Sequence, residues 1–187
     1  MVSPRTLIFT VTALSGILLD QLTKGWVVAN LEVGGRDEIA VIPNLLSITH
    51  VLNDGAAFSI MKGQLNLFLI FTVVFAVIVI DFARRLPETA RIEALTLGMV
   101  FGGMIGNFLD RLTRGVVVDM IKVYWGWEPG RSWFVEQFGT YVYPIWNVAD
   151  ALLVVGLIAF LLFYLFQGDS EPLLDELDEE DGVPSGP

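Results

Sequence analysis

The chain has 187 residues, of which 54% are hydrophobic and 17% are charged. Its mean hydropathy of +0.64 is too high for a soluble domain of this length, so the composition predicts a membrane protein. The chain has no cysteine, which excludes disulfides, thiol nucleophiles and cysteine metal sites. The single histidine, His50, has no second histidine with which to share a metal, and we expect it to be a strand residue.

The formal net charge of −10 is concentrated at the C-terminus. Eight of the 21 acidic residues follow Phe166 without any basic residue, so that removing the −8 of this tail from −10 leaves −2 for the rest. This composition predicts a disordered acidic tail over residues 167–187, on the cytoplasmic side, and a folded body over residues 1–166. We find no basic patch that suggests a nucleic-acid partner.

Four apolar stretches are long enough to cross a bilayer core about 30 Å thick, which requires roughly 20 helical residues. They are Thr6–Val28, Leu65–Phe82, Ala94–Leu112 and Pro144–Phe166. The first stretch follows Arg5, as in a signal peptide, but it ends in DQLTKGW without a small-residue cleavage site. We therefore expect it to be a retained span.

The topology follows from the short connection between the second and third spans, which contains Arg84, Arg85 and Arg91. Basic residues in short loops favour the cytoplasm, so we expect both termini to be cytoplasmic as well. The unusual polar residues of the body then all lie near the outer ends of the spans: Asp20, Gln21, Lys24, Asn107, Asp110, Arg111, Asp119, Asn147 and Asp150. This convergence predicts a site at the level of the outer leaflet.

The two outer loops have different compositions. Residues 31–64 are rich in β-branched side chains and are broken by Pro43, Asn53 and Gly55, which predicts short strands and turns. Residues 121–143 contain eight aromatic side chains, which suit the membrane interface as a structural anchor or as a mobile lid. The predicted fold is an α-helical membrane protein with four spans, a small β-rich cradle outside the membrane and an aromatic-rich outer loop.

Two stripes run along the third span. Gly98, Gly102 and Gly106 recur every four residues and predict close packing against another helix. Gly103, Asn107 and Asp110 form a neighbouring polar stripe that we expect to face the bundle interior: they stand at positions i, i+4 and i+7. We also expect Asp110 and its neighbour Arg111 to form a structural charge pair.

Asp119 in VVVDMI and Asp150 in WNVADALLVVG lie where a carboxylate is costly, which predicts a function for both. Asn147 opens the last apolar run and is typical of a helix N-cap, and its side chain is expected beside that of Asp150. Asp150 lies too far into this run to act as a cap. Asn53 begins NDGAAF, where a turn and small residues allow the backbone to approach a ligand closely.

Taken together, five motifs resemble those of the lipoprotein signal peptidases, also called signal peptidase II, in order and spacing. They are DQLTK (Asp20–Lys24), NDGAAF (Asn53–Phe58), GNFLDR (Gly106–Arg111), VVVDMI (Val116–Ile121) and WNVAD (Trp146–Asp150). The resemblance covers residues 6–166. The chain departs from the family in having Trp146 where phenylalanine is common, a longer second outer loop and the acidic tail.

This resemblance implies an intramembrane aspartyl endopeptidase of the bacterial inner membrane, with a catalytic pair formed by Asp119 and Asp150. Such enzymes cleave prolipoproteins on the N-terminal side of a diacylglyceryl-modified cysteine, and they need no cofactor or metal. The implied partners are these substrates, membrane lipid and globomycin-type inhibitors, and we expect a monomer. The implied substrate-binding and supporting residues are Asp20, Lys24, Asn53, Gly103, Asn107, Asp110, Arg111 and Asn147.

Two other classes of protein also place carboxylates in a membrane. A small carrier or channel would use them to bind a cation, but it does not explain why the polar residues stop at one interface. A structural scaffold leaves the aspartate pair unexplained.

Overall fold

The computed structural model describes residues 2–55 and 64–166 of the chain. The helices and strands, in chain order, are α1 (Pro4–Asn30), β1 (Ile39–Ile42), β2 (Leu46–Asn53), α2 (Leu65–Arg85), α3 (Arg91–Arg114), β3 (Val117–Val123), α4 (Gly130–Phe138) and α5 (Val148–Phe166). The end of the NDGAAF motif and the acidic tail, which we predict to be disordered, lie outside the described residues.

Four of the helices, α1, α2, α3 and α5, are long and apolar enough to cross a membrane, which confirms the four-span prediction. The fourth helix begins later than expected, at Val148 and not at Pro144. The residues before it are extended, because the backbone of Trp146 pairs with that of Ile121 on β3.

Helix α3 packs between α1 and α5 along its glycines. A Cβ atom at Gly98 would lie 2.8 Å from the carbonyl oxygen of Phe9, and one at Gly102 would lie 3.0 Å from that of Ala13. The glycine stripe is therefore a packing surface, as predicted. Gly103 faces the bundle interior as expected, where it lies against the backbone of Ala149 and brings α5 close to α3.

The three strands form one antiparallel sheet in the order β1-β2-β3. The first outer loop supplies β1 and β2, including His50, as the sequence predicts. The third strand comes from the VVVDMI segment, which we expected to be a connection after the third span. Its inner face packs on the end of α1 in a core cluster of Val27, Leu31, Val118 and Met120.

The second outer loop continues from β3 into the short helix α4. Aromatic rings contact one another along this segment, with centroids 5.3 Å apart for Trp125 and Trp127 and 5.0 Å apart for Trp133 and Phe134. The α4 residues Trp133 and Phe138 also expose large apolar surfaces. Both the anchor and the lid interpretation of this loop are compatible with these contacts.

Candidate active site

A buried cluster of charges joins α1 to α3. The Lys24 ammonium group lies 2.9 Å from an Asp20 oxygen and 3.1 Å from an Asp110 oxygen, and all three side chains are fully buried. Arg114, one helical turn after Asp110, contacts the second Asp110 oxygen. Two acids therefore face two bases, which is the pairing that buried charges require.

The expected charge pair between Asp110 and Arg111 is wrong. Consecutive helix residues point about 100° apart, so the Arg111 side chain points away from the charged cluster. Its guanidinium donates hydrogen bonds to the carbonyl oxygens of Asn107 and Gly55, and it lies 4.6 Å from the centre of the Phe68 ring.

A reciprocal cap starts helix α5. The Asn147 side-chain oxygen accepts the backbone N–H of Asp150 at 3.0 Å, and an Asp150 oxygen accepts the backbone N–H of Asn147 at 3.2 Å. This arrangement is a capping box. The N-cap interpretation of Asn147 is confirmed, and Asp150 is not itself the N-cap but takes part in the box from the third helical position.

Asp119 is held by one amide donor on each carboxylate oxygen. Asn53 on β2 donates to one oxygen at 2.9 Å, and Asn147 donates to the other at 2.7 Å. Asn53 reaches Asp119 because β2 and β3 pair with Val51 opposite Asp119, which makes Asn53 a diagonal neighbour on the same face.

Asn147 and Asn107 bring Asp150 to the same place. The Asn107 amide donates to Asp150 at 2.8 Å, while its oxygen accepts from Lys24 at 2.9 Å and from Asn147 at 3.2 Å. Asn147 thus contacts Asp119 through its side chain and Asp150 through its backbone. The two aspartates that the sequence singled out are therefore held by one common residue.

The pKa of Asp119 is raised to about 6, chiefly by burial and to a smaller extent by the charge of the neighbouring Asp150. Hydrogen bonds from Asn53 and Asn147 and the charge of Lys24 act in the opposite direction. A carboxyl group with this pKa exchanges its proton close to neutral pH, which general acid–base chemistry requires.

Two cavities meet at Asp119 and Asn53. One has a volume of about 760 Å³ and lies among α2, α3 and α5, and Asp150 and Arg111 also line it. The other, of about 970 Å³, lies between the sheet and the second outer loop and is lined by aromatic side chains such as Phe134. Both volumes suit a peptide or lipid segment.

The other residues expected to support the site lie behind this pair. Asp20 accepts the backbone N–H of Ala149 at 2.9 Å and so fixes the start of α5 to α1. The backbone N–H of Val118, beside Asp119, donates to Asp110 at 3.0 Å. The sequence analysis missed Arg114 as a partner of Asp110, although their i, i+4 spacing on one helix is a usable signal.

Within residues 2–55 and 64–166, no three histidine, aspartate or glutamate side chains are grouped so that they could hold a metal ion. The side chains that converge are two carboxylates, three asparagine amides and a buried cation. These features define a class of protein: a multi-span helical membrane protein with a paired-carboxylate site of the kind that aspartic proteases use.

A family model described as "Signal peptidase (SPase) II" matches residues 12–166. The lipoprotein signal peptidases of Listeria welshimeri serovar 6b and Listeria monocytogenes serotype 4a are each 40% identical to the chain over 156 residues, which are 83% of this chain and 91% of each relative. The chain therefore belongs to the signal peptidase II family. This membership identifies a protease and contradicts the carrier and scaffold alternatives.

Two solved structures, each described as a bacterial membrane enzyme, have the same fold. One has a TM-score of 0.73 and 27% identity, and the match covers 88% of this chain and 91% of the other. The second has a TM-score of 0.70 and 28% identity, with coverages of 87% and 94%.

Proposed function

We propose that this chain cleaves the signal peptide from prolipoproteins and that Asp119 and Asp150 are its catalytic pair. The observation that carries the assignment is that two carboxylates from separate elements are held by Asn147 where two cavities meet. A peptide that enters both cavities passes Asp119.

The proposed reaction needs one proton on the aspartate pair. The ionised carboxylate takes a proton from water, and the water oxygen attacks the scissile carbonyl, while the protonated carboxyl group donates to the carbonyl oxygen. Collapse of the tetrahedral diol then breaks the C–N bond: the carboxyl group that took the proton from water gives it to the leaving amine, and the other carboxylate takes a proton from a diol hydroxyl, which restores the pair with one proton. Because the two groups interact, the proton belongs to the pair and not to either residue.

We assign the remaining residues to three supporting roles. Asn53, Asn107 and Asn147 orient the carboxylates through the amide hydrogen bonds described above. Asp20, Lys24 and Asp110 hold α1, α3, α5 and β3 together behind them. Arg111 lines the cavity among the spans and can bind a substrate carbonyl, and Gly103 lets α5 approach α3.

The proposed substrates carry a diacylglyceryl group on the cysteine that follows the scissile bond. The cavity among α2, α3 and α5 is lined by apolar side chains such as Met104, Leu153 and Val154, which are compatible with a lipidated segment that enters from the bilayer. Globomycin-type inhibitors would compete for the same place. We propose that the enzyme acts as a monomer.

We propose the bacterial inner membrane as its location, with the site at the outer leaflet. Arg84 and Arg85 end α2, and Arg91 begins α3, so the positive-inside rule puts this connection and both termini in the cytoplasm. The folded body is then residues 1–166, and residues 167–187 form a cytoplasmic acidic tail that we propose is disordered.

Cleavage of a lipidated precursor by the purified enzyme in detergent tests the catalytic pair. We expect Asp119→Asn and Asp150→Asn each to lower kcat/KM by about 10²–10⁴-fold, because each removes a proton donor or acceptor. The double variant should have little less activity than either single variant, because the two residues act as a unit and the loss of one already disables it.

Asp81→Asn is the matched control, because Asp81 is an exposed aspartate at the far end of α2. It should cleave like the unmodified enzyme, and all variants should keep its far-UV circular dichroism. Turnover near the unmodified rate in either single variant of the pair would disprove the assignment.

A further inference from the structure

Strand β2 contains one extra residue immediately before it reaches Asp119. Ile48 pairs with Ile121 and Val51 pairs with Asp119. Two residues of β2, Thr49 and His50, therefore face the single β3 residue between these pairs, which is Met120. This is a β-bulge, a feature that re-aims side chains and often lies beside active sites.

The bulge determines which residue of β2 meets the catalytic carboxylate. After it, Asn53 pairs with Val117 and lies diagonally from Asp119, on the face from which its amide donates to that residue. Because side chains alternate along a strand, a slip of one residue would turn Asn53 to the opposite face. The hydrogen bond from Asn53 to Asp119 therefore depends on the bulge.

His50 fixes the bulge to the end of α1. Its side chain is buried, and its Nδ1 lies 2.9 Å from the carbonyl oxygen of Leu31. A carbonyl oxygen only accepts, so Nδ1 carries the proton and donates it. The backbone oxygen of His50 accepts the N–H of Gly34 at 2.8 Å, so that His50 holds this loop through two hydrogen bonds.

The segment that His50 holds, from Leu31 to Gly34, also packs against the strand residues on either side of Asp119. Leu31 packs in the core cluster with Val118 and Met120, which are the two neighbours of Asp119 on β3. One end of α1 is thus tied to β2 by a hydrogen bond and to β3 by packing, at the same level of the sheet.

We infer that His50 is a positioning residue of the peptidase site, which holds the bulge and thereby keeps Asn53 against Asp119. The inference rests on the proposed function, because it requires Asp119 to be catalytic. Only Nδ1 of the ring takes part: within the described residues, Nε2 is buried without a hydrogen-bond partner. An asparagine amide nitrogen can take the place of Nδ1, whereas a glutamine amide nitrogen takes that of Nε2.

The test compares His50→Asn with His50→Gln, and includes His50→Leu as the variant without a donor. We expect His50→Gln and His50→Leu to lower kcat/KM about tenfold, which is about the effect of one lost hydrogen bond on the activation free energy. His50→Asn should stay within about threefold of the unmodified enzyme. The fall of kcat/KM at alkaline pH should also move to higher pH in His50→Gln and His50→Leu. These variants weaken the hydrogen bond from Asn53, and that bond lowers the pKa of Asp119.

A destabilised control separates positioning from general stability. Leu97 is buried in a second core cluster, with Leu86 and Ala90, so Leu97→Ala should lower the melting temperature without moving the pH profile. Equal activities and pH profiles for His50→Asn and His50→Gln would overturn the inference, as would an unmoved alkaline limb in His50→Gln. Failure of the proposed function has a different signature, which is an active Asp119→Asn variant.

Discussion

The charged cluster behind the proposed catalytic pair allows a stability prediction from the structure. Asp110 is fully buried and accepts from Lys24 at 3.1 Å, from the backbone N–H of Val118 at 3.0 Å and from Arg114. The variant Asp110→Ala removes these three contacts and a longer one of 3.4 Å from the Gln21 side-chain amide. Of the two carboxylates that contact Lys24, only Asp20 remains, and the Val118 N–H loses this acceptor.

The expected loss follows from this burial. Removing one member of a buried ion pair costs about 3–5 kcal/mol, because the remaining charge is uncompensated. For a chain of this length, 1 kcal/mol corresponds to roughly 2–4 °C, so the melting temperature should fall by about 6–20 °C. Activity should fall as well, because Val118 precedes Asp119 on β3.

Thermal unfolding in a single detergent, followed by circular dichroism, measures the effect. Asp81→Ala provides the control, because Asp81 also pairs with an arginine one turn away but both side chains are mostly exposed, and such a pair contributes at most about 1 kcal/mol. If Asp110→Ala melted within 2 °C of the unmodified protein (about 1 kcal/mol or less), the charged cluster would not be the stabilising element described here.

Three further predictions concern the site, the helix packing and the tail. The value of kcat/KM should fall as pH rises through the pKa of Asp119, near 6 in the free enzyme, because the pair then loses its last proton. A flat profile of kcat/KM from pH 5 to 8 would contradict this. The variant Asn53→Ala should move the fall to higher pH, because the Asn53 hydrogen bond lowers the pKa of Asp119. Gly103→Leu should lower the melting temperature and activity by forcing α5 away from α3, whereas Gly25→Leu should change neither, since no described atom lies within 4 Å of a Cβ there. Truncation after Gln167 should leave cleavage of the same precursor intact, because the family match ends at residue 166, and a large loss of activity in inserted protein would show that the tail has a role.

The four spans and the position of the polar residues could be predicted because both depend on local properties of the chain. A hydrophobic run indicates a membrane helix directly, and the arginines between α2 and α3 predict its orientation. Once the spans are placed, helical periodicity indicates which side chains share a face. Asp20 with Lys24, and Asn147 with Asp150, are examples of such pairs that the structure brings together.

The errors arose where the structure depends on partners distant in the sequence. The VVVDMI segment has no alternating pattern, and it becomes a strand because β2 pairs with it. Helix α5 begins at Val148 and not at the predicted Pro144, because the backbone of Trp146 pairs with β3. The Asp110–Arg111 pair was a different kind of error, since helix geometry alone favours a partner one turn away over an adjacent residue.

The arrangement of charged and amide side chains around Asp119 and Asp150 explains how this proposed pair can keep one proton. Lys24 lies directly against Asp20 and Asp110, but Asn107 stands between it and Asp150, accepting from the lysine and donating to the aspartate. Neutral amides orient a carboxylate without adding a full charge, so the cation can hold the helices together while the proposed catalytic pair keeps a proton that it can exchange.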